Sequence, residues 1–414
     1  MRFGLIGEKL GHSFSAEIHE KLKSNPYALV ELSKDDMATF FSEKNFSAIN
    51  VTIPYKTAVL PYLTHVDGDA KAIGAVNTVV NRGGELWGYN TDFFGLCALI
   101  EHADITLKNK KVAIFGTGGT SKTAHAVAEF LGAKEILTVS RQADEGVITY
   151  KELITHHTSV EVIINTTPVG MYPNTEAVPV DISAFSKLSG VIDAIYNPLR
   201  TKLILDAKKR GIKAEGGLYM LVAQAVRASE LFLDCTYEPE TTERIHQELL
   251  ACTENIVLSG MPGAGKSTVG KLLAKELGKA FFDLDEEIVR ASGRSIPEIF
   301  ATDGESCFRN LETKVLCEAL ANQKGIVLAT GGGAILADEN IDLLHRNGKI
   351  YFIDRPLEEL LPTSDRPLAS TADAIRQRFE ERYDRYCATA DCRIDGDGSV
   401  ETVANRIRKE FLHL

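Results

Sequence analysis

Residues 260–268 read Gly-Met-Pro-Gly-Ala-Gly-Lys-Ser-Thr, the Gly-x-x-x-x-Gly-Lys-Ser spacing of a phosphate-binding loop. Glycines in such a loop let backbone N–H groups point inward around phosphate oxygens, and the helix that follows adds positive potential. Gly263, Ala264, Gly265 and Thr268 belong to the cradle for ATP. Lys266 reaches the β- and γ-phosphates, and the Ser267 hydroxyl ligates Mg2+. The chemistry this supports is phosphoryl transfer. Downstream, Phe282-Asp283-Leu284-Asp285 is expected to end a second strand, so that alternation sets both carboxylates on one side. One of them then holds Mg2+ through water, and the other faces an acceptor hydroxyl.

A second constellation lies in the first half. Gly116-Thr117-Gly118-Gly119-Thr120-Ser121 follows an apolar strand and precedes an Ala-rich helix, with another strand about twenty residues on, the context of a dinucleotide-binding turn. That next strand ends Thr138-Val139-Ser140-Arg141. An acid there would pair with a ribose diol; Ser140 and Arg141 instead suit the 2′-phosphate of NADP. The segment before this turn is rich in polar side chains. Ser13-Phe14-Ser15 offers two hydroxyls, with helix N-capping as a competing role before residues 16–23. Asn50-Val51-Thr52-Ile53-Pro54-Tyr55-Lys56 reads as a strand end with polar groups on one face and a terminal lysine. Gly74-Ala75-Val76-Asn77-Thr78 and Gly88-Tyr89-Asn90-Thr91-Asp92 follow.

These groups need a scaffold, and the chain supplies an α/β pattern. Short β-branched runs alternate with longer amphipathic stretches from end to end. Strands are expected at 3–6, 48–53, 111–115, 135–139, 161–165 and 190–194, then at 255–259, 325–329 and 349–353. Helices are expected to open at Ser121, Glu240 and Gly265. With 414 residues, two or three compact units are expected, and the main boundary falls near 250–254. The first half is expected to have two lobes, because the dinucleotide turn begins only at Gly116.

Composition narrows the partners. The chain is 44% hydrophobic and 25% charged with a net charge of -11, which suits small-molecule substrates and disfavours nucleic acid. No stretch reads as a membrane span, and charge arrives too early at the N-terminus for a signal peptide. The seven cysteines show no Cys-x-x-Cys spacing, so neither a disulfide framework nor a structural zinc is expected. A reducing cytoplasm fits. His156 and His157 read as a solvated loop.

The motifs in combination resemble two families. From about residue 255 onward the chain is similar to shikimate kinase. That likeness rests on the loop, Asp283-x-Asp285, residues 293–300 (Gly-Arg-Ser-Ile-Pro-Glu-Ile-Phe), Gly304-Glu305, Phe308-Arg309-Asn310-Leu311-Glu312, Gly331-Gly332-Gly333, Arg366-Pro367-Leu368 and Arg382-x-x-x-Tyr386. The resemblance implies that Asp285 binds and orients or deprotonates the shikimate hydroxyl, with Asp283 beside Ser267 at the metal. Arg309 and Arg382 clamp the carboxylate, for which a guanidinium fork is suited. Glu312 orients Arg309, the Gly331–Gly333 turn meets the ring, and Arg366 comes from a lid onto ATP. The lid before Arg366 is shorter than is usual for the family and lacks a further Arg.

Residues 1 to about 250 resemble shikimate dehydrogenase. Asn165-Thr166-Thr167-Pro168-Val169-Gly170-Met171, Asp193-Ala194-Ile195-Tyr196 and residues 217–224 (Gly-Leu-Tyr-Met-Leu-Val-Ala-Gln) add to the motifs above. The resemblance implies an α/β fold with a substrate lobe at about 1–95 plus helices at about 221–250, and a Rossmann-type NADP lobe at about 96–220. A P-loop domain of the nucleoside-monophosphate-kinase type follows at 253–414, leaving 1–252 to the dehydrogenase. Reducing a ketone needs a proton for the developing alkoxide; Lys56 is the candidate acid and Asp92 the partner that holds it. Ser13, Ser15, Thr52, Asn77, Asp92, Tyr196 and Gln224 hydrogen-bond the substrate. Gly116, Gly118, Gly119, Thr120, Ser140, Arg141 and Gly217 contact the cofactor. Ser140 and Glu145 depart from the usual NADP pattern, which has Asn and a second basic residue. The joint reading is an enzyme that makes shikimate from 3-dehydroshikimate with NADPH and phosphorylates it with ATP and Mg2+. Two alternatives stand beside it: a catabolic quinate or shikimate dehydrogenase using NAD, and a kinase half that only binds ligands and regulates.

Overall fold

The computed structural model describes residues 1–11, 14–24, 26–320, 323–360 and 371–413. Ser13, Arg366 and the lid stretch 361–365 therefore lie outside the described residues. The chain forms two compact units, Met1–Gln247 and Glu248–Leu414. The division falls inside the helix Thr241–Thr253 rather than at a loop.

The first unit holds two six-stranded sheets. The N-terminal sheet comprises β1 (Phe3–Gly7), β2 (Tyr27–Glu31), β3 (Ala48–Val51), β4 (His65–Val66), β5 (Thr78–Arg82) and β6 (Glu85–Tyr89), in the order β2-β1-β3-β5-β6-β4. β5 and β6 are antiparallel, closed by Gly83 and Gly84, whose φ values of 64° and 95° are those a two-residue hairpin turn demands.

The other sheet comprises β7 (Lys111–Phe115), β8 (Glu135–Ser140), β9 (Val147–Thr149), β10 (Val162–Asn165), β11 (Gly190–Asp193) and β12 (Lys213–Glu215). Its order β9-β8-β7-β10-β11-β12 is parallel throughout, the doubly wound arrangement of a Rossmann lobe. Val112, Ala113, Ile114 and Phe115 are wholly buried, as a central parallel strand with helices on both faces must be. The order in which strands are added reverses between β7 and β10, and the glycine turn after β7 sits at that switch point.

The second unit carries β13 (Asn255–Ser259), β14 (Ala280–Asp283), β15 (Ile326–Ala329), β16 (Gly348–Asp354) and β17 (Cys392–Asp395). They form one parallel sheet in the order β14-β15-β13-β16-β17. The helix Lys266–Leu277 leaves the end of central β13.

Several local expectations need correction. β3 stops at Val51, and Lys56 lies on a one-turn helix, Tyr55–Ala58, rather than at a strand end. The reason is Pro54, which has no N–H to give a ladder and fits a helix start. The helix after the dinucleotide turn opens at Gly119, two residues before Ser121. Ser15 is the first residue of the helix Ser15–Lys21, whose N-cap is Phe14 with no side-chain cap bond, so Ser15 is not a cap. His156 closes the helix Tyr150–His156, and the His157 ring nitrogen lies 3.1 Å from Lys111 Nζ, so neither belongs to a free loop. All seven cysteines are free thiols, and no helix among the described residues is long and apolar enough to cross a membrane.

Candidate active sites

In the first unit Lys56 Nζ donates to Asp92 Oδ2 at 2.6 Å, and the two side chains are only 16% and 9% exposed. Each is positioned from a different direction. The lysine stem lies against the start of the dinucleotide helix, since a Cβ at Gly119 would sit 3.6 Å from Lys56 Cδ. Asp92 occupies the first turn of the helix Thr91–His102, where the positive helix end favours a carboxylate. The helix is capped by Asn90, whose Oδ1 accepts from Phe93 N at 3.2 Å while Nδ2 donates to Ala75 O at 3.0 Å.

Asn77 braces the same helix start. Its Oδ1 accepts from Thr91 N at 2.7 Å and from Thr78 Oγ1 at 3.1 Å, and its Nδ2 donates to Thr91 Oγ1 at 3.0 Å. Thr91 Oγ1 in turn reaches Gln224 Oε1 at 3.5 Å. Gln224 can come so close because Gly95 faces it: a Cβ there would lie 2.9 Å from Gln224 Cβ and 2.8 Å from Met220 O. The structure thus brings together Lys56, Asp92, Asn77 and Gln224 in one connected set. Thr52 is half-buried just after β3, bound through its backbone to Ile6 O and Tyr55 N. Ser15 is buried, and Tyr196 is half-buried with its ring 6.0 Å from that of Phe14. Burial pushes the Tyr196 hydroxyl above the usual phenol range, so it stays a neutral donor. Sequence reading did not single out Tyr27, Asn50 or Thr91 as parts of this frame; each is paired across distant segments.

The residues expected to contact the cofactor lie around the ends of β7, β8 and β11. Gly116 has φ 110°, and a Cβ on it would press to 2.8 Å from Thr166 Oγ1. Gly118 caps the helix Gly119–Phe130 without any side-chain bond and faces open space, leaving room for an anion against the first backbone N–H groups. Thr120 is half-buried in the first turn. Ser140 ends β8, adjacent to β7, and Arg141 follows it at the surface. Gly217 lies against β11's end: a Cβ there would be 2.3 Å from Ala194 O. These residues fit a dinucleotide pyrophosphate.

Asp193, wholly buried, ties this region together. It accepts from Asn165 Nδ2 at 3.0 Å, Ile195 N at 3.0 Å and Thr201 Oγ1 at 2.7 Å. Burial nevertheless pushes its carboxyl up to about 7, against the pull of those three donors.

In the second unit the loop has the form its motif demands. Gly260, Gly263 and Gly265 all take positive φ (149°, 87° and 87°), and Gly265 caps the helix with no side-chain bond. Lys266 is 5% exposed and donates to Gly260 O at 2.9 Å and Met261 O at 3.0 Å. Ala264 is buried and Thr268 exposed. A buried ammonium among inward-turned backbone groups is the donor set a triphosphate needs.

The Asp-x-Asp pair is built differently from the alternation expected. β14 ends at Asp283, which N-caps the helix Leu284–Ser292; its Oδ1 accepts from Asp285 N at 3.0 Å. Asp285 therefore sits on a helical turn, not on the strand, because an aspartate followed by acidic residues is itself a helix-start signal. Asp283 Oδ2 accepts from the Ser267 hydroxyl at 2.5 Å, so the two expected metal-side groups meet. The pair, one hydroxyl and one carboxylate, fits Mg2+.

Asp285 faces the glycine triplet: a Cβ at Gly331 would lie 2.8 Å from Asp285 Oδ1 and 2.9 Å from Glu312 Oε1. Gly332 O accepts from Arg382 Nη1 at 3.1 Å and from the Tyr386 hydroxyl. At Gly333 a Cβ would strike Arg309, 2.2 Å from Nη2. Arg309 is held by Glu312 at 2.8 Å and by Glu305 at 3.2 Å. Burial works against its charge, and the two carboxylates more than offset that. For Glu312 burial wins over Arg309 and raises its carboxyl. Arg382 is lowered by burial, with Arg378 and Arg309 adding repulsion. Two guanidiniums held close enough to repel one another make a seat for an anion.

Comparison with known proteins agrees unit by unit. The family model "Shikimate dehydrogenase substrate binding domain" matches residues 5–79, and "Shikimate kinase" matches residues 262–412. A shikimate dehydrogenase (NADP(+)) of Clostridium perfringens is 38% identical over 265 residues, covering 60% of this chain and 97% of that protein. The crystal structure of shikimate dehydrogenase 1 from Peptoclostridium difficile is 36% identical with a TM-score of 0.56, covering 60% of this chain and 98% of that one. The Thermus thermophilus shikimate 5-dehydrogenase, solved with NADP(H) and shikimate, is 26% identical with a TM-score of 0.54 over 60% and 99%. The chain belongs to the shikimate dehydrogenase family and carries a shikimate kinase domain behind it, a bifunctional shikimate-pathway enzyme that uses NADP(H), ATP and Mg2+.

Proposed function

We propose that residues 1–252 reduce 3-dehydroshikimate to shikimate and that residues 253–414 phosphorylate the shikimate 3-hydroxyl. The observation that carries the first step is the 2.6 Å contact between Lys56 and Asp92 beside the dinucleotide turn. Bound NADPH supplies the hydride. Lys56 donates the proton to the developing alkoxide, and Asp92 holds the ammonium in place for that transfer. Ser13, Ser15, Thr52, Asn77, Asp92, Tyr196 and Gln224 bind the carboxylate and hydroxyls. A site built of such partners discriminates strongly, because an analogue without the matching group leaves a buried polar atom unpaired. Gly116, Gly118, Gly119, Thr120, Ser140, Arg141 and Gly217 hold NADP.

In the second step Arg309 and Arg382 take the carboxylate of shikimate, Gly331, Gly332 and Gly333 support the ring, and Asp285 receives the acceptor hydroxyl. Lys266 draws charge from the transferring phosphoryl group, with Gly263, Ala264, Gly265, Thr268 and Arg366 around the nucleotide. Ser267 and Asp283 would hold Mg2+, which would supply neutralisation of charge on the phosphates. Residues Arg309 and Arg382, on separate helices yet meeting at one glycine turn, support a carboxylated acceptor.

The test is a coupled assay from 3-dehydroshikimate, NADPH and ATP to shikimate 3-phosphate by the purified chain. Accumulation of shikimate without its phosphate refutes the kinase assignment. Faster turnover of quinate with NAD than of shikimate with NADP refutes the biosynthetic one.

A further inference from the structure

The peptide between Gly332 and Gly333 is flanked by two residues without a Cβ, so little in its own chain opposes its turning over. Both glycines are demanded by close approach. A Cβ at Gly332 would lie 3.0 Å from Pro262 Cδ and Cγ, and one at Gly333 would strike Arg309. Contacts from elsewhere must therefore hold this peptide in one orientation. That orientation matters, because a trans peptide sends its C=O and its N–H in opposite directions. Whatever grips Gly332 O also aims Gly333 N–H.

Gly332 O accepts from two donors one turn apart on the helix Ala372–Thr389, Arg382 Nη1 at 3.1 Å and the Tyr386 hydroxyl. The two are not equivalent. Arg382 is assigned to the substrate carboxylate and is repelled by Arg378 and Arg309, so an incoming anion competes with Gly332 O for it. Tyr386 has a single hydrogen, and Gly332 O takes it. The phenol is wholly buried, its ring stacked on Phe352 at 5.1 Å and 10°. Burial pushes its hydroxyl well above the usual phenol range, so it keeps the hydrogen it donates. On the other side of the peptide, Gly333 is buried, and among the described residues nothing accepts from its N–H. A buried N–H of this kind calls for a partner that the chain does not supply.

We propose that Tyr386 is a positioning residue for the kinase acceptor: its hydroxyl pins the Gly332 carbonyl, so that the Gly333 N–H is presented to a ring hydroxyl of shikimate. This rests on the reading of residues 253–414 as acting on shikimate. Tyr386 acts on acceptor affinity and leaves the nucleotide and the phosphoryl transfer itself alone.

The test uses the full chain. Tyr386→Phe keeps the ring stack and removes only the O–H donor. The kinase KM for shikimate rises about tenfold, the worth of one buried hydrogen bond. The kcat and the KM for ATP stay within about twofold, and dehydrogenase turnover of the same sample is unchanged. Calorimetry with shikimate and its 3-, 4- and 5-deoxy analogues then identifies the hydroxyl: the analogue that lacks it binds equally to wild type and variant. A shikimate KM equal to wild type shows that Arg382 holds the peptide alone and overturns the proposal. Equal weakening of shikimate and all three analogues marks a general loosening of the site and also overturns it. If Tyr386→Phe does not fold, wild-type chain carrying 13C-carbonyl and 15N glycine reports on its glycine–glycine peptides by NMR. The Gly333 amide proton shifts downfield when shikimate is added, and an unmoved signal overturns the proposal. Wild-type protein that binds ATP yet forms no shikimate 3-phosphate overturns the functional assignment beneath it, a distinguishable result.

Discussion

Asp92→Asn preserves the shape of the side chain that holds Lys56 and removes its charge. The ammonium and carboxylate are 2.6 Å apart at 16% and 9% exposure. With charges centred about 4 Å apart and an effective dielectric of about 20, their attraction is about 4 kcal/mol before desolvation is subtracted. The net quantity is smaller: a hydrogen bond to a charged group contributes about 1.5–3 kcal/mol and a neutral one about 1 kcal/mol. The amide thus gives up about 1–2 kcal/mol of its hold on the lysine. If that hold is needed while the proton moves, kcat/KM for shikimate falls about 5- to 30-fold. The assay is NADP-dependent oxidation of shikimate, followed by NADPH absorbance, with kinase turnover of the same sample as internal control. Turnover within twofold of wild type would falsify the role given to Asp92. A parallel loss of kinase turnover would instead point to general unfolding.

Three other outcomes follow from the geometry. Lys266→Ala removes the ammonium seated on Gly260 O and Met261 O; formation of shikimate 3-phosphate drops about a hundredfold or more while dehydrogenase turnover is unchanged, and loss of both activities would contradict this. Gly333→Ala drives a methyl into Arg309, so the kinase KM for shikimate rises more than about tenfold and ATP binding, read by calorimetry, does not move. Burial pushes His246 down to about 4 from 6.5, with His102 adding repulsion. Its folded value lies below its unfolded one, so its contribution is whole above pH 6.5 and is lost as pH falls toward 4. Scanning calorimetry from pH 7 to 4 is expected to show a shallower loss of Tm in His246→Gln than in wild type; equal slopes would count against the neutral, buried imidazole.

Chemistry carried by contiguous residues was readable from the chain alone. The phosphate loop and the dinucleotide turn declare themselves because each needs glycines at fixed offsets between a strand and a helix. The Asp283 and Asp285 pair was legible as residues but misread as geometry. Asp285, Glu286 and Glu287 fill the first turn of a helix that Asp283 caps, and that pattern outranked strand alternation. The pattern points to Lys56 but not to its seat: polar alternation suggests a strand end, whereas Pro54 breaks the strand and starts a one-turn helix. The frame behind the substrate could not be read. Ser24 meets Ser229 and Thr91 meets Gln224 across more than a hundred residues, and nothing local in either partner announces the other.

The brace between Asn77 and Thr91 has a consequence for how this site comes into being. It joins residues 14 apart through one hairpin, whereas Thr91 and Gln224 are separated by 133. Closing the longer loop costs about 2 kcal/mol more chain entropy than closing the shorter. The hairpin and the start of the Asp92 helix are therefore the cheaper part to assemble, and the helix Leu218–Leu233 completes the pocket afterwards. Run backwards, the same asymmetry orders local opening: Gln224 can leave while Asn77 still grips Thr91, and the pocket loosens on the Gln224 side before the Asp92 helix lets go.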